Sequence, residues 1–353
     1  MNRIRYAVIG SGFRAMFYVR IAKALPEQFE LTGVLVRSED KKRLLEKQYG
    51  VFATTSRDEL LSARPDFVVS AVSRSDNARV CIELMKQGIP VLAETPAADS
   101  IEDMNEIWRL CTQCGARVQI AEQYFLYPTY EAKLRAAASG RLGRIQNASL
   151  SAVHDYHAIS LLRRALGAGL SHAAITAKKY EWPVAVTQNR LGVFQRGETA
   201  SQSRVRAEFV FGNGTVGFYD FSGIQYHSFI RSRHFSIQGE RGELSDDRVY
   251  YLDSDGNPIV ETLSPACDGI HPGIQSIAFA GECVYRNPFP TNLLPEDETA
   301  IARLLIGMKE YIDTGREVYP LAGALQDAYL SALLIRAART GETVNSEDQP
   351  WHV

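Results

Sequence analysis

The chain has 353 residues with 39 basic and 41 acidic side chains, a formal net charge of -2, and a composition that is 45% hydrophobic and 23% charged. That balance excludes a disordered chain, a collagen-like repeat and a disulfide scaffold, and the lack of a basic stripe interleaved with aromatics argues against a nucleic-acid partner. At roughly 150 residues per domain the length predicts two domains, each able to bury its own core.

The first third alternates apolar runs with helical patterns, the rhythm of parallel βαβ units. Arg5 to Ile9 reads as a buried strand, Gly10 to Phe13 as a turn, and the next helix stops before Pro26. Phe29 to Val36 is a second strand, and Ser38 caps a helix ending at Gly50. Ser56 and Glu59 have the spacing of a capping box and open a short helix. Asp66 to Val72 is a buried strand, Asp76 to Gln87 a helix stopping at Gly88, and Pro90 to Ala93 a strand. Ile101 to Cys114 is a helix ending at Gly115, and Arg117 to Ala121 a further strand. The fold class expected over residues 1–122 is α/β, a doubly wound parallel sheet.

From 123 to 353 the pattern becomes α+β, with a large, mainly antiparallel open sheet and closing helices. Tyr130 to Ser139 and Tyr156 to Leu166 read as helices. Val205 to Phe211, the Asn213-Gly214 turn and Thr215 to Phe221 form a hairpin. Arg233 to Gln238 and Glu243 to Leu252 continue the strands, Asp255-Gly256 marks a tight turn, and Asp297 to Thr314 and Ala322 to Thr340 are helical. One sheet face is left for a partner, which points to a homo-oligomer.

The 5 cysteines fit a reducing compartment, and Cys111 and Cys114, a lone CxxC inside a helical pattern, read as packed thiols rather than a redox or zinc site. The opening residues run from two arginines directly into a strand, and no apolar stretch reaches the roughly 18 residues of a membrane helix. A cytoplasmic protein with no membrane contact is expected.

Gly10, Gly12 and Ala15 form GxGxxA between a strand and a helix. Gly10 permits the tight turn, Gly12 lets backbone approach a pyrophosphate, and Ala15 lets helix and strand pack while the helix N-terminus faces the anion. A dinucleotide is the expected cofactor. An acidic residue normally ends the second strand and holds the adenosine ribose. Here that strand ends Leu35-Val36-Arg37-Ser38, and Arg37 with Ser38 suits a 2′-phosphate, which favours NADP, NAD remaining open through Glu39 or Asp40.

Together with Gly10-Ser11-Gly12, the Ala93-Glu94-Thr95-Pro96 strand end, the turn from Gly140 to Ile145 and the helix start at Tyr156-His157 give the chain its resemblance to the Gfo/Idh/MocA oxidoreductases. The likeness extends to Asp327 to Val344, similar to the family's closing helix and Gly-x-x-Val end. It implies a Rossmann domain, an α+β domain with an open sheet, NAD(P), and a sugar or cyclitol substrate. Three departures stand out. The family's Glu-Lys-Pro is Glu94-Thr95-Pro96 here; the aspartates that flank its histidine four residues before and three after are Val153 and Ser160; and Ser73 and Asn77 replace its proline and histidine. The cofactor set implied is Gly10, Gly12, Phe13, Arg14, Ala15, Arg37, Ser38, Ala71, Val72, Ser73, Asn77, Glu94, Thr95, Pro96 and Gln123, with Thr95, Tyr124 and Arg164 toward substrate.

Hydride exchange at an alcohol or carbonyl carbon needs a group that takes or returns the hydroxyl proton, and histidine suits both directions near neutral pH. His157, at the family's histidine position, is the expected acid/base, with Ser160, Leu161 and Arg164 on its helical face. Tyr156 or His154 is the alternative proton carrier. No metal is expected, because His154 and His157 lack a third ligand in the sequence. The expected activity is an NAD(P)-dependent oxidoreductase, NADP(H) favoured, acting on a sugar, cyclitol or glycoside. The alternatives are a redox-neutral enzyme that retains its nucleotide, oxidising transiently before elimination or epimerisation, and a non-catalytic dinucleotide-binding regulator.

Overall fold

The computed structural model describes residues 3–189, 192–193, 197–267, 269, 273–290 and 294–352. Its first part runs β1 (Ile4–Ile9), α1 (Ala15–Ala24), β2 (Phe29–Leu35), α2 (Glu39–Tyr49), β3 (Ala53–Thr54), α3 (Arg57–Ser62), β4 (Phe67–Ser70), α4 (Arg74–Lys86), β5 (Val91–Ala93), α5 (Ile101–Cys114) and β6 (Val118–Ile120). The six strands pair in parallel in the order β3-β2-β1-β4-β5-β6. The order reverses between β1 and β4, which opens a crevice at the carboxyl ends of the strands, where ligands bind in such sheets. Both sheet faces are covered, so Ala7, Val8, Val68, Val69, Val91 and Leu92 are wholly buried, as an apolar parallel strand requires.

Helix ends follow the local signals. Ser38, Ser56 and Ser100 accept hydrogen bonds from the backbone nitrogens of Lys41, Glu59 and Asp103, and Gly50 and Gly115 close α2 and α5 in the left-handed conformation. The capping box at α3 is half formed. Glu59 turns its carboxylate to the Thr54 hydroxyl, and that hydroxyl, not Glu59, accepts from Ser56 N at 2.9 Å. Cys111 is half-buried and Cys114 exposed at the end of α5, so the second thiol is not packed.

The second part contains α6 (Pro128–Ala138), β7 (Ile145–Ser151), α7 (Asp155–Ala165), β8 (Ala173–Ala185), the short pair β9 (Gln188–Asn189) and β10 (Gly192–Val193), β11 (Thr199–Phe211), β12 (Val216–Phe221), β13 (His234–Gly239), β14 (Gly242–Ser245), β15 (Arg248–Leu252) and β16 (Pro258–Thr262). It continues with β17 (Ser264–Ala266), β18 (Ser276–Phe279), β19 (Glu282–Arg286), α8 (Glu296–Thr314), α9 (Leu321–Thr340) and β20 (Val344–Asn345). Nine strands form one sheet in the order β16-β15-β14-β13-β7-β12-β11-β8-β20, with β7 and β12 its parallel pair and the other neighbours antiparallel.

Glu243 to Leu252, expected as one strand, is a hairpin, because Asp246 takes a φ of 51° and reverses the chain between β14 and β15. Two strands carry too little apolar alternation to be read from sequence. In β7, Ala148 and Leu150 are the fully buried positions, and β8 exposes much of its length from Thr176 onward. α7 and α9 pack on each other and cover one face of the sheet at β7 and β8. On the other face Val210 and Phe218 stay exposed, with Tyr180 and Trp182 of β8 also open to solvent. No helix among the described residues is long and apolar enough to cross a membrane.

Candidate active site

The chain leaves β1 through Gly10, whose φ is 123°. A Cβ there would stand 2.2 Å from the carbonyl oxygen of Ala71 in the loop after β4, so glycine is required by both conformation and space. Gly12 differs: a Cβ would meet nothing within 4 Å. No packing within the chain calls for a glycine at that point, and the open space over the N-terminus of α1 fits a group from outside, as a pyrophosphate would be. Ala15 is fully buried beneath the turn, where a small residue lets α1 lie against β1.

A cavity of about 500 Å³ opens from this turn. Of the residues expected to face a cofactor it is lined by Gly10, Gly12, Phe13, Arg14, Arg37, Ala71, Val72 and Ser73. Lys41, Thr55, Arg57, Asp76 and Arg79 also line it, and sequence reading missed them because they lie on separate helices and loops that only the sheet order brings together. Arg37, 74% exposed at its side chain, donates to Asp76 Oδ2 at 2.6 Å, and the Ser73 hydroxyl donates to the same oxygen at 2.6 Å. The hydrogen bonds from Ser73, Arg79 and Arg37 hold the Asp76 carboxyl below its ordinary range. Arg37 therefore faces the cavity from an ion pair rather than as a free cation.

Several expected cofactor residues lie elsewhere. Ser38 is spent as the cap of α2, its hydroxyl 3.4 Å from Lys41 N, and does not line the cavity. Asn77 is 2% exposed and points into the protein: its Nδ2 donates to Glu94 O at 2.6 Å and Pro96 O at 3.0 Å, and its Oδ1 accepts from Ser70. It staples the turn after β5, which contains a cis Thr95-Pro96 bond, with Thr95 half-buried and Pro96 buried. The Glu94 carboxylate accepts from Tyr18 at 2.6 Å and pairs with Arg14 at 3.4 Å, tying that turn to α1. Gln123, with its amide turned to satisfy both groups, accepts from Arg14 Nη2 at 2.9 Å and donates to Ala121 O at 2.8 Å. Arg14 thus joins the glycine turn to the segment after β6.

That segment holds the residue sequence reading missed. Glu122 is fully buried, its Oε1 accepts from Tyr124 N at 2.9 Å, and its Oε2 bonds His157 Nδ1. A buried carboxylate fixed on one side by a backbone donor selects the His157 tautomer with its proton on Nδ1, which leaves Nε2 as a lone pair. Glu122 sits at the end of an apolar run, and its partner is 35 residues away, so no local spacing signalled the pair.

His157 is the third residue of α7 and is 4% exposed. The Tyr124 ring tilts against it at 4.5 Å and the His154 ring stands edge-on at 4.8 Å. His154 bonds the Tyr226 hydroxyl through Nδ1 at 2.6 Å. Burial, then the neighbouring His157, Arg74 and Arg14, push its pKa down to about 3, so it stays neutral and cannot serve as an acid near neutral pH.

Tyr156 is corrected as a proton carrier. Its ring stands edge-on to that of His157 at 5.7 Å, but its hydroxyl is turned into the protein, where it is buried and donates to the Tyr319 hydroxyl at 3.3 Å. Burial and Asp327 raise its pKa well above the ordinary phenol value. Arg164 is corrected too. It shares the stripe of His157, but seven residues at about 1.5 Å each carry it two turns away. Its guanidinium lies 3.7 Å over Phe125 and lines a different cavity with Arg144 and Asn213. Ser160, on the same stripe, has a buried hydroxyl without a hydrogen-bond partner among the described residues.

Residues 4–122 match the family described as an oxidoreductase family with an NAD-binding Rossmann fold, Gfo/Idh/MocA. No curated protein matches in sequence. Solved structures share the whole architecture. Levoglucosan dehydrogenase, in complex with NADH and levoglucosan, aligns with a TM-score of 0.71 at 16% identity, covering 98% of this chain and 99% of its own. An oxidoreductase from Agrobacterium radiobacter, in complex with NAD+, L-tartaric acid and magnesium, gives 0.69 at 16% identity over 98% of both chains. Biliverdin reductase from Synechocystis sp. PCC 6803, in complex with biliverdin and NADP+, gives 0.66 at 14% identity over 95% and 99%. At these identities the likeness shows the fold.

Proposed function

We propose that the chain, whose residues 4–122 match the Gfo/Idh/MocA oxidoreductase family with its NAD-binding Rossmann fold, exchanges a hydride between NADP(H) and the hydroxyl or carbonyl carbon of a sugar, cyclitol or glycoside. One observation carries the reading: Arg14 and Gln123 link the glycine turn directly to the segment bearing the buried Glu122–His157 pair. The division of labour proposed is residues 1–122 for the nucleotide and 123–353 for substrate and assembly.

Gly12 and the N-terminus of α1 would hold the pyrophosphate, and the open space there supports the fit. Around the cavity Arg37, Lys41, Arg57 and Arg79 supply positive charge, against Asp76, which pairs with Arg37 and Arg79, and Glu83, which pairs with Arg57 and Arg79, so cations remain in excess. That excess favours a 2′-phosphate and hence NADP. When bound, the nicotinamide supplies the carbon that gives or accepts hydride. His157 takes or returns the substrate hydroxyl proton at Nε2, and Glu122 stabilises the imidazolium that forms. Tyr124, whose ring packs on His157, and Thr95 flank the substrate. Thr95 offers a hydrogen bond where a lysine would offer charge, so stabilisation of a developing alkoxide falls to other groups. Among solved structures of this fold one holds levoglucosan with NADH and another biliverdin with NADP+, which supports a nicotinamide dinucleotide cofactor and a sugar among the substrate classes. The exposed sheet face bearing Val210 and Phe218 serves a second copy of the chain, and sedimentation as a monomer would remove that part.

The test is calorimetric titration with NADP and NAD on the wild type and on Arg37→Asp, followed by nicotinamide absorbance with a panel of polyols and ketoses. NADP binds the wild type more tightly, Arg37→Asp loses about ten- to hundredfold in NADP affinity, as the loss of a charge-assisted bond implies, and at least one polyol or ketose changes the absorbance. Failure to bind either dinucleotide overturns the proposal. Equal NADP affinity in the variant overturns the cofactor choice.

A further inference from the structure

The end of the chain returns to the nine-stranded sheet. β20 pairs with β8, and Ser346 exchanges two hydrogen bonds with Ala173, at 2.9 Å and 2.8 Å. Trp351 is fully buried, and its indole N–H donates to Gln326 Oε1 on α9 at 2.9 Å. His352 Nε2 lies 2.9 Å from that same oxygen. An indole nitrogen can only donate, so the Gln326 oxygen is fixed as an acceptor, and His352 must carry a proton on Nε2. In the neutral ring Nδ1 is then a lone pair.

That lone pair faces a carboxylate. His352 Nδ1 is 3.5 Å from Asp348 Oδ1, with the backbone nitrogen of Gln349 at a long 3.4 Å. From the residue preceding β8, His172 brings Nε2 to 3.2 Å from the same Asp348 oxygen. The three side chains each offer one ligand atom, and all three atoms lie within 4.8 Å of one another. His352 Nδ1 and the Asp348 carboxylate are both acceptors, and His172 Nε2 is a third in the tautomer that carries its proton on Nδ1; a cation at their meeting point satisfies all three. Tetrahedral zinc, with bonds of about 2.0–2.2 Å, sets its ligands about 3.3–3.5 Å apart, close to the 3.2 Å and 3.5 Å that separate the Asp348 oxygen from the two imidazoles. Gln326 adds the outer partner such a site uses, since a metal-bound histidine gives its other N–H to a fixed acceptor.

We propose that His172, Asp348 and His352 bind one zinc ion that clamps the C-terminal segment to the start of β8. Two imidazoles and one carboxylate suit zinc over magnesium or calcium, which prefer oxygen throughout. The site is remote in sequence from the nucleotide turn and owes nothing to the proposed reaction.

The test uses the full chain stripped by chelator and titrated with Zn²⁺ by calorimetry, with Mg²⁺ as the control ion. The variants are His172→Ala and Asp348→Asn, whose side chains are 55% and 87% exposed, so neither removes core packing. The wild type binds zinc and gains thermal stability on binding, Mg²⁺ does neither, and each variant loses at least about tenfold in zinc affinity together with the stability gain. Cysteines or other histidines that bind zinc would keep doing so in both variants. Wild-type affinity in both variants, or no zinc binding by the wild type, overturns the proposal.

Discussion

Glu122→Gln removes one charge and almost no volume, and the geometry dictates what the amide must do. Glu122 Oε1 accepts from Tyr124 N at 2.9 Å, so the glutamine must keep its oxygen there and turn its NH₂ toward His157 Nδ1. Nδ1 then has to accept, which moves the ring proton to Nε2 and takes away the lone pair proposed to receive the substrate proton. General acid–base action contributes about 10²–10⁴-fold, and kcat should fall within that range. NADP affinity should change by less than about twofold, because Glu122 is outside the nucleotide cavity. KM should move little, and the limb of the pH–rate profile that reports His157 should shift or vanish. The assay is steady-state nicotinamide absorbance on the best substrate of the panel, with calorimetry for NADP and nitrogen NMR of the His157 ring for the tautomer. A kcat within threefold of wild type, or a ring still protonated on Nδ1, would refute the reasoning.

Three further outcomes follow from geometry. Gly10→Ala sets a Cβ 2.2 Å from Ala71 O at a φ of 123°, and strain plus overlap should cost roughly 2–6 kcal/mol in denaturant unfolding, whereas Gly12→Ala, with nothing within 4 Å, should keep its stability and lose dinucleotide affinity; equal midpoints for the two would contradict this. Asn77→Ala orphans buried partners at Ser70, Glu94 and Pro96 and should cost roughly 2–4 kcal/mol, measured by thermal unfolding, a loss under 1 kcal/mol counting against the staple. His154 is held to about 3 in the folded chain against 6.5 unfolded, so the unfolded chain binds the extra proton between those values. Stability therefore falls as pH drops below about 6.5, by at most about 1.4 kcal/mol per pH unit from this group, and His154→Asn should flatten the fall between pH 6.5 and 5; identical slopes would discard the assignment.

The first sheet was readable because its signals are local: each strand is a short apolar run, and each helix has its serine or glycine boundary within a few residues. What escaped were elements whose identity rests on distant partners. β3 is two residues long and exists by pairing with β2, and β7 is largely polar yet sits at the centre of the large sheet between β12 and β13. Among the site residues the glycine turn was legible for the same local reason. Side chains such as Ser38 and Asn77 are equally apt to bind a ligand or the backbone, and only the fold shows that Ser38 caps α2 and that Asn77 holds the turn after β5. Arg164 shares the stripe of His157 yet lies over Phe125, since a common helical stripe does not bring two side chains to one point.

By itself the sequence determined the βαβ rhythm, the GxGxxA turn and the helix boundaries, since those depend on conformational preferences and bonds spanning a few residues. Only the folded chain decided which buried charges meet: Glu122 with His157 across 35 residues and Arg163 with Asp327 across 164. The physical reason is that a buried charge is tolerable only beside a partner, and the order of the strands, not the order of the residues, chooses that partner.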